Sequence, residues 1–149
     1  MKKLISILMT AAMVIGLSVP VMAGEMDDKL VILHTNDIHG RFETTEGQIG
    51  IAGVAAMKNY YVEQGAEVLL LDAGDFSQGT TLVNHDKGMK AVSYMVAADY
   101  DAVTLGNHEF DYGQDCMKDI VATLKAGRIP VLDANFMKED TKEIYFDDY

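Results

Sequence analysis

Ala102-Val103-Thr104-Leu105-Gly106-Asn107-His108-Glu109-Phe110-Asp111-Tyr112-Gly113 reads as an apolar strand that stops at a glycine and opens at once into polar chemistry. Ala102 to Leu105 suits a short buried strand, and Gly106 lets the backbone turn sharply. An amide, an imidazole and two carboxylates follow: Asn107, His108, Glu109 and Asp111. Such groups are costly to bury idle and useful where a metal is held or a proton is moved. Taken alone, Gly-Asn-His-Glu also describes a solvated polar turn. Two earlier strand exits decide between the readings.

The run Lys29 to His34 (KLVILH) is a strand, with Leu30 to Leu33 apolar on both faces as in the middle of a parallel sheet. It breaks into Thr35-Asn36-Asp37-Ile38-His39-Gly40. A second strand, Glu67 to Asp72 (EVLLLD), exits into Ala73-Gly74-Asp75-Phe76-Ser77-Gln78-Gly79. Between them Ile51 to Gln64 carries a helical stripe closed by Gly65. Met89, Val92, Met95 and Val96 mark a second helix. Met117, Ile120, Val121 and Leu124 mark a third, ended by Gly127. Ile129 to Asn135 (IPVLDAN) reads as a fourth strand and Ile144 to Phe146 as the start of a fifth. This alternation specifies an α/β fold, βαβαβαβ, with a parallel sheet covered by helices. Ligands of such sheets sit beyond the carboxyl ends of the strands, where all three polar clusters lie.

Outside that frame, residues 1–23 have the form of a signal peptide. Lys2 and Lys3 precede an uncharged apolar stretch from Leu4 to Val19, and Val21-Met22-Ala23 offers small residues at a cleavage site. The expectation is an exported protein, in the periplasm, cell wall or extracellular space, with no stable membrane span after cleavage. Its removal takes two lysines and no acids, so the net charge moves from −11 to −13 over the remaining 126 residues. A domain this acidic does not attract nucleic acid, whose phosphates want a basic surface. Cys116 is the single cysteine, so no intrachain disulfide can form.

Asp37 and His39 stand two residues apart on what reads as an extended segment, so both can turn toward one ion. Asp75, after Gly74, can bring two oxygens to bridge two ions, and Asn107 offers an amide oxygen. This mixed nitrogen and oxygen set suits Zn²⁺, Mn²⁺, Fe or Co²⁺ better than Ca²⁺ or Mg²⁺. Two ions sharing a carboxylate could hold a hydroxide between them for an in-line phosphoryl displacement. On an extended segment His108 faces away from Asn107, which suits an acid over the substrate oriented by Asp111.

HTNDIHGR, DAGDFSQGT and AVTLGNHEFDYG resemble, in order, the first three blocks of the metallophosphoesterase domain of the 5′-nucleotidase/UDP-sugar hydrolase family, within the calcineurin-like superfamily. The likeness runs from about Leu30 to Asn135. It implies a layered β-sheet core flanked by helices, of which residues 24–149 are the N-terminal half. It also implies two divalent metal ions (Zn, Mn or Co), one held by Asp37, His39 and Asp75 and the other by Asp75 and Asn107. His108 and Asp111 are then the catalytic pair, acting on a nucleotide or nucleotide-sugar substrate. The family's later metal-binding histidines and its C-terminal nucleotide-binding domain have no counterpart here, so the chain reads as a truncated domain. A 5′-nucleotidase, a UDP-sugar hydrolase and a 2′,3′-cyclic-nucleotide phosphodiesterase all remain open, and so does a non-catalytic remnant serving as a binding module. Among the other histidines, His34 reads as a strand residue facing away from the site and His85 as a surface group. Gln78 and Thr80 border the mouth of the expected pocket, Arg41 reads as a solvated loop residue with phosphate contact as the alternative, and Cys116 reads as a half-buried thiol rather than a nucleophile. Glu109 and Phe110 receive no chemical role.

Overall fold

The computed structural model describes residues 24–146. The expected export signal at residues 1–23 lies outside them. The described chain is α/β. Strand β1 (Leu30–Thr35) leads to helix α1 (Gly50–Glu63) and strand β2 (Glu67–Asp72). Helices α2 (Thr81–Asn84) and α3 (Met89–Ala97) then lead to strand β3 (Ala102–Val103). A 3-10 turn at Asn107–Phe110 and helix α4 (Gln114–Ala126) complete the order. Among the described residues the sheet has three strands, in the order β1-β2-β3, all parallel.

The register aligns Leu30 with Glu67 and Thr35 with Asp72, so the two polar strand exits leave the sheet side by side. Parallel crossovers are right-handed, and three strands taken in sequence step the same way across the sheet, which brings the helices to one face. There Leu70, Val92, Met95, Val103, Met117 and Ile120 form the buried core. The four stripe residues of α4, Met117, Ile120, Val121 and Leu124, are all buried, as their spacing requires. Helix α1 ends as expected at Gly65, whose φ of +93° suits glycine. There Ala66 N–H donates to the Tyr61 carbonyl at 3.0 Å. Lys58 of α1, only 7% exposed, reaches the other end of the sheet. Its Nζ lies 2.9 Å from Asp99 Oδ2 and 3.1 Å from Asp101 Oδ2, just before β3.

Three expectations need correction. β1 is the end strand of this sheet, and its side chains alternate: Leu30 and Ile32 remain 56% and 57% exposed. A short apolar run cannot by itself tell whether both of its faces are covered. The segment Ile129 to Asn135 contributes a single parallel bridge, Val131 beside Val103, rather than a strand. Pro130 has no N–H for a ladder and serves only as an acceptor, from Val103 N–H at 3.0 Å. Ile144 forms one antiparallel bridge with Met137, in a cap where Phe136 packs against Tyr145 and Phe146.

Candidate metal and phosphoester site

Backbone hydrogen bonds join the first two polar exits before any side chain meets. Asp37 N–H donates to the Gly74 carbonyl at 3.0 Å, and His39 N–H to the Asp75 carbonyl at 2.9 Å. Thr80 Oγ1 donates to the Gly40 carbonyl at 2.9 Å. Asp37, His39 and Asp75 all have left-handed backbone, with φ of +51°, +47° and +61°. Such values are uncommon outside glycine and are held here by the interlocked loops. The Asp37–His39 segment is therefore a coiled turn, not the extended pair the spacing predicts. Residues 107–110 likewise form a 3-10 turn, so no extended backbone sets His108 against Asn107.

What the loops assemble is a cluster. Ligand atoms of His39, Asp75 and His108 all lie within 4.8 Å of one another. The two imidazoles meet edge to face with ring centroids 5.0 Å apart. Asp37 Oδ1 stands 3.7 Å from His39 Nε2. His108 Nδ1 is 2.7 Å from Asp111 Oδ2, and that carboxylate holds the imidazolium proton to a higher pH than an ordinary histidine. Asn107 is exposed at the head of the 3-10 turn, bordering a hollow of about 580 Å³ with Leu105, Asp133 and Asn135. A second hollow, about 250 Å³, is bordered by Asp37, Ile38, Arg41 and Phe42.

The donor set fits a divalent cation. His39 Nδ1 is 3.1 Å from the Gln78 carbonyl, which fixes the proton on that nitrogen and leaves Nε2 free to ligate. Asp75 Oδ1 accepts the His108 N–H at 2.9 Å, which orients the carboxylate and leaves Oδ2 open. Imidazole nitrogens beside carboxylate oxygens are the donors that Zn²⁺, Mn²⁺ and Co²⁺ accept.

Other residues take lesser places. His34 and His85 are exposed. Cys116 Sγ–H donates to the Lys87 carbonyl at 3.4 Å, and burial pushes its thiol up, away from nucleophilic use. Two acids went unassigned in the sequence and prove central. Asp72, at the end of β2, is buried beneath the cluster. It accepts from Thr35 Oγ1 at 2.5 Å and from Gly74 N–H at 2.8 Å. Burial, with the Glu109 and Asp37 charges adding to it, pushes its carboxyl up to about 7. Glu109 is fully buried and accepts backbone N–H groups from both neighbouring loops. The sequence signal for Asp72 was a charge at the end of an apolar run, and that for Glu109 its place in the Gly-Asn-His-Glu motif.

A family model for the calcineurin-like phosphoesterases matches residues 30–138. A snake venom 5′-nucleotidase of Crotalus adamanteus is 44% identical over 125 residues, 77% of this chain and 21% of that protein. The solved 5′-nucleotidase precursor of Thermus thermophilus is similar with a TM-score of 0.61 at 36% identity, covering 71% of this chain and 22% of that one. The NAD nucleotidase of Haemophilus influenzae gives 0.62 at 35% identity, covering 71% and 20%. The chain thus spans about a fifth of the length of the curated relatives it matches.

Proposed function

This chain belongs to the calcineurin-like phosphoesterase family, and from that membership we propose that the full-length protein is an exported, metal-dependent hydrolase of nucleotide phosphoesters, of the 5′-nucleotidase/UDP-sugar hydrolase type. The observation that carries the reading is the convergence of His39, Asp75 and His108 within 4.8 Å at the carboxyl ends of parallel strands. Asp37, His39 and Asp75 would hold one divalent ion, and Asp75 with Asn107 a second. Bound ions supply Lewis acidity toward phosphoryl oxygens and make water a nucleophile near neutral pH. The chain's own residues do the rest. The Gln78 carbonyl fixes the His39 tautomer. The His108 amide aligns Asp75. Asp111 holds the imidazole of His108 by Nδ1 and keeps it protonated, so that Nε2–H can donate to the oxygen on which charge develops as the ester bond breaks. Nucleotides are the proposed substrates because the similar proteins are named 5′-nucleotidases and an NAD nucleotidase.

The test uses the full-length gene product. Metal is stripped with a chelator and Mn²⁺, Zn²⁺ or Co²⁺ restored, and phosphate release is measured from AMP and from UDP-glucose. The expected result is release that disappears with the metal and returns with it. No metal-dependent release from either substrate would refute the proposal.

A further inference from the structure

Glu109 is 0% exposed. What meets it is backbone. Oε2 accepts the N–H of Asp75 at 2.8 Å and of Gly106 at 2.7 Å. Oε1 accepts the N–H of Phe76 and of Ser77, each at 3.0 Å. Four donors from two separate loops therefore converge on two oxygens. A carboxylate is the one side chain that can satisfy them all, since only it presents two acceptors and no donor. Three consecutive amides aimed at one anion form a concave backbone nest, which closes over the left-handed φ of +61° at Asp75. The stitch also runs in reverse. His108, next to Glu109, donates its N–H to Asp75 Oδ1 at 2.9 Å, and Ser77 Oγ lies 3.4 Å from the His108 carbonyl.

We propose that Glu109 is a positioning residue for the metal site. It clamps the backbone on both sides of Asp75 and so sets where the Asp75 carboxylate and the His108 ring can stand. The inference rests on the metal reading given above, and it adds a residue that touches neither cation nor substrate. A structural acid would affect only stability. A positioning acid sets cation affinity, because outer partners of metal ligands typically carry ten- to a hundredfold in affinity.

Glu109→Gln in the full-length protein is the discriminating change. It keeps the volume but offers one acceptor, so two N–H groups lose their partner and face the new amide. Three measurements go together: cooperative unfolding of the metal-free protein, hydrogen exchange at Asp75, Phe76, Ser77 and Gly106, and Mn²⁺ binding followed by the loss of free-ion electron paramagnetic resonance. The expected outcome is a folded variant with at least two of those four amides exchanging faster and Mn²⁺ bound ten- to a hundredfold more weakly. Glu109→Asp keeps both oxygens on a shorter arm. It should bind Mn²⁺ with intermediate affinity, and it carries the test if the glutamine variant does not fold. A folded variant with faster exchange and unchanged Mn²⁺ affinity would overturn the proposal, making Glu109 structural only. An unsubstituted protein that binds no Mn²⁺ would overturn the metal reading and this inference with it, a failure told apart because it appears before any substitution.

Discussion

Replacing Gly74 with alanine should disable the site without altering any side chain in it. A Cβ at Gly74 would lie 2.3 Å from Gly106 N, 2.8 Å from Gly106 Cα and 2.9 Å from the Leu105 carbonyl carbon. All three are backbone atoms, which cannot rotate out of the way. Heavy atoms rest comfortably at about 3.5–4.0 Å, so the β2 and β3 exits must part by roughly 1 Å. The φ of +97° at this position adds strain for any residue with a Cβ, together about 1–3 kcal/mol or more. Parting the loops stretches the 2.9 Å contact between His108 N–H and Asp75 Oδ1 and the 2.7 Å contact between Gly106 N–H and Glu109. A displacement near 1 Å at a reacting centre costs on the order of a hundredfold in rate. Gly47→Ala is the control, because Gly47 also has a positive φ, +80°, but has nothing within 4 Å of its Cβ position. The assay is kcat on AMP at saturating Mn²⁺, with urea unfolding alongside, for both full-length variants. Gly47→Ala should lose stability and keep its rate, whereas Gly74→Ala should lose both. A folded Gly74→Ala enzyme with an unchanged kcat would refute the reasoning, since the two exits would then not be held in contact.

Two further predictions concern protons. Asp72 is raised from 3.8 to about 7 in the folded state, so between those values the fold holds a proton that the unfolded chain releases. Stability from this group is fully present below 3.8 and lost as the pH rises through about 7. The full shift corresponds to about 4 kcal/mol. Urea unfolding of the metal-free protein at pH 5 and pH 8 should show the fall and Asp72→Asn should flatten it; an equally steep profile in the variant would exclude Asp72 as the cause. For the proposed catalytic pair, His108→Ala should keep its metal content and lose roughly two to four orders of magnitude in kcat. Asp111→Asn should lose less, having removed only the group that orients and charges the ring. Metal per protein measured beside kcat decides, and a His108→Ala enzyme that has lost metal would make His108 a ligand.

The sequence by itself determined the order and kind of the elements. The α4 stripe from Met117 to Leu124, the glycine stop at Gly65 and the run Glu67–Asp72 depend on local periodicity and backbone freedom, which neighbouring residues settle. It also brought Asp37, His39, Asp75 and His108 to one edge, because a parallel sheet puts all its strand exits on the same side. It did not determine which faces are covered or how the exits lock. Leu30 and Ile32 read as central and stand exposed, since coverage depends on what lies across the sheet, not along the strand. Asp37 and His39 read as extended and are left-handed, because carbonyls of a loop some thirty-six residues away hold them there. Glu109 had no role to read, since its four donors come from Asp75, Phe76, Ser77 and Gly106. A buried carboxylate is interpretable only once its partners are in place, and only the tertiary structure assembles them.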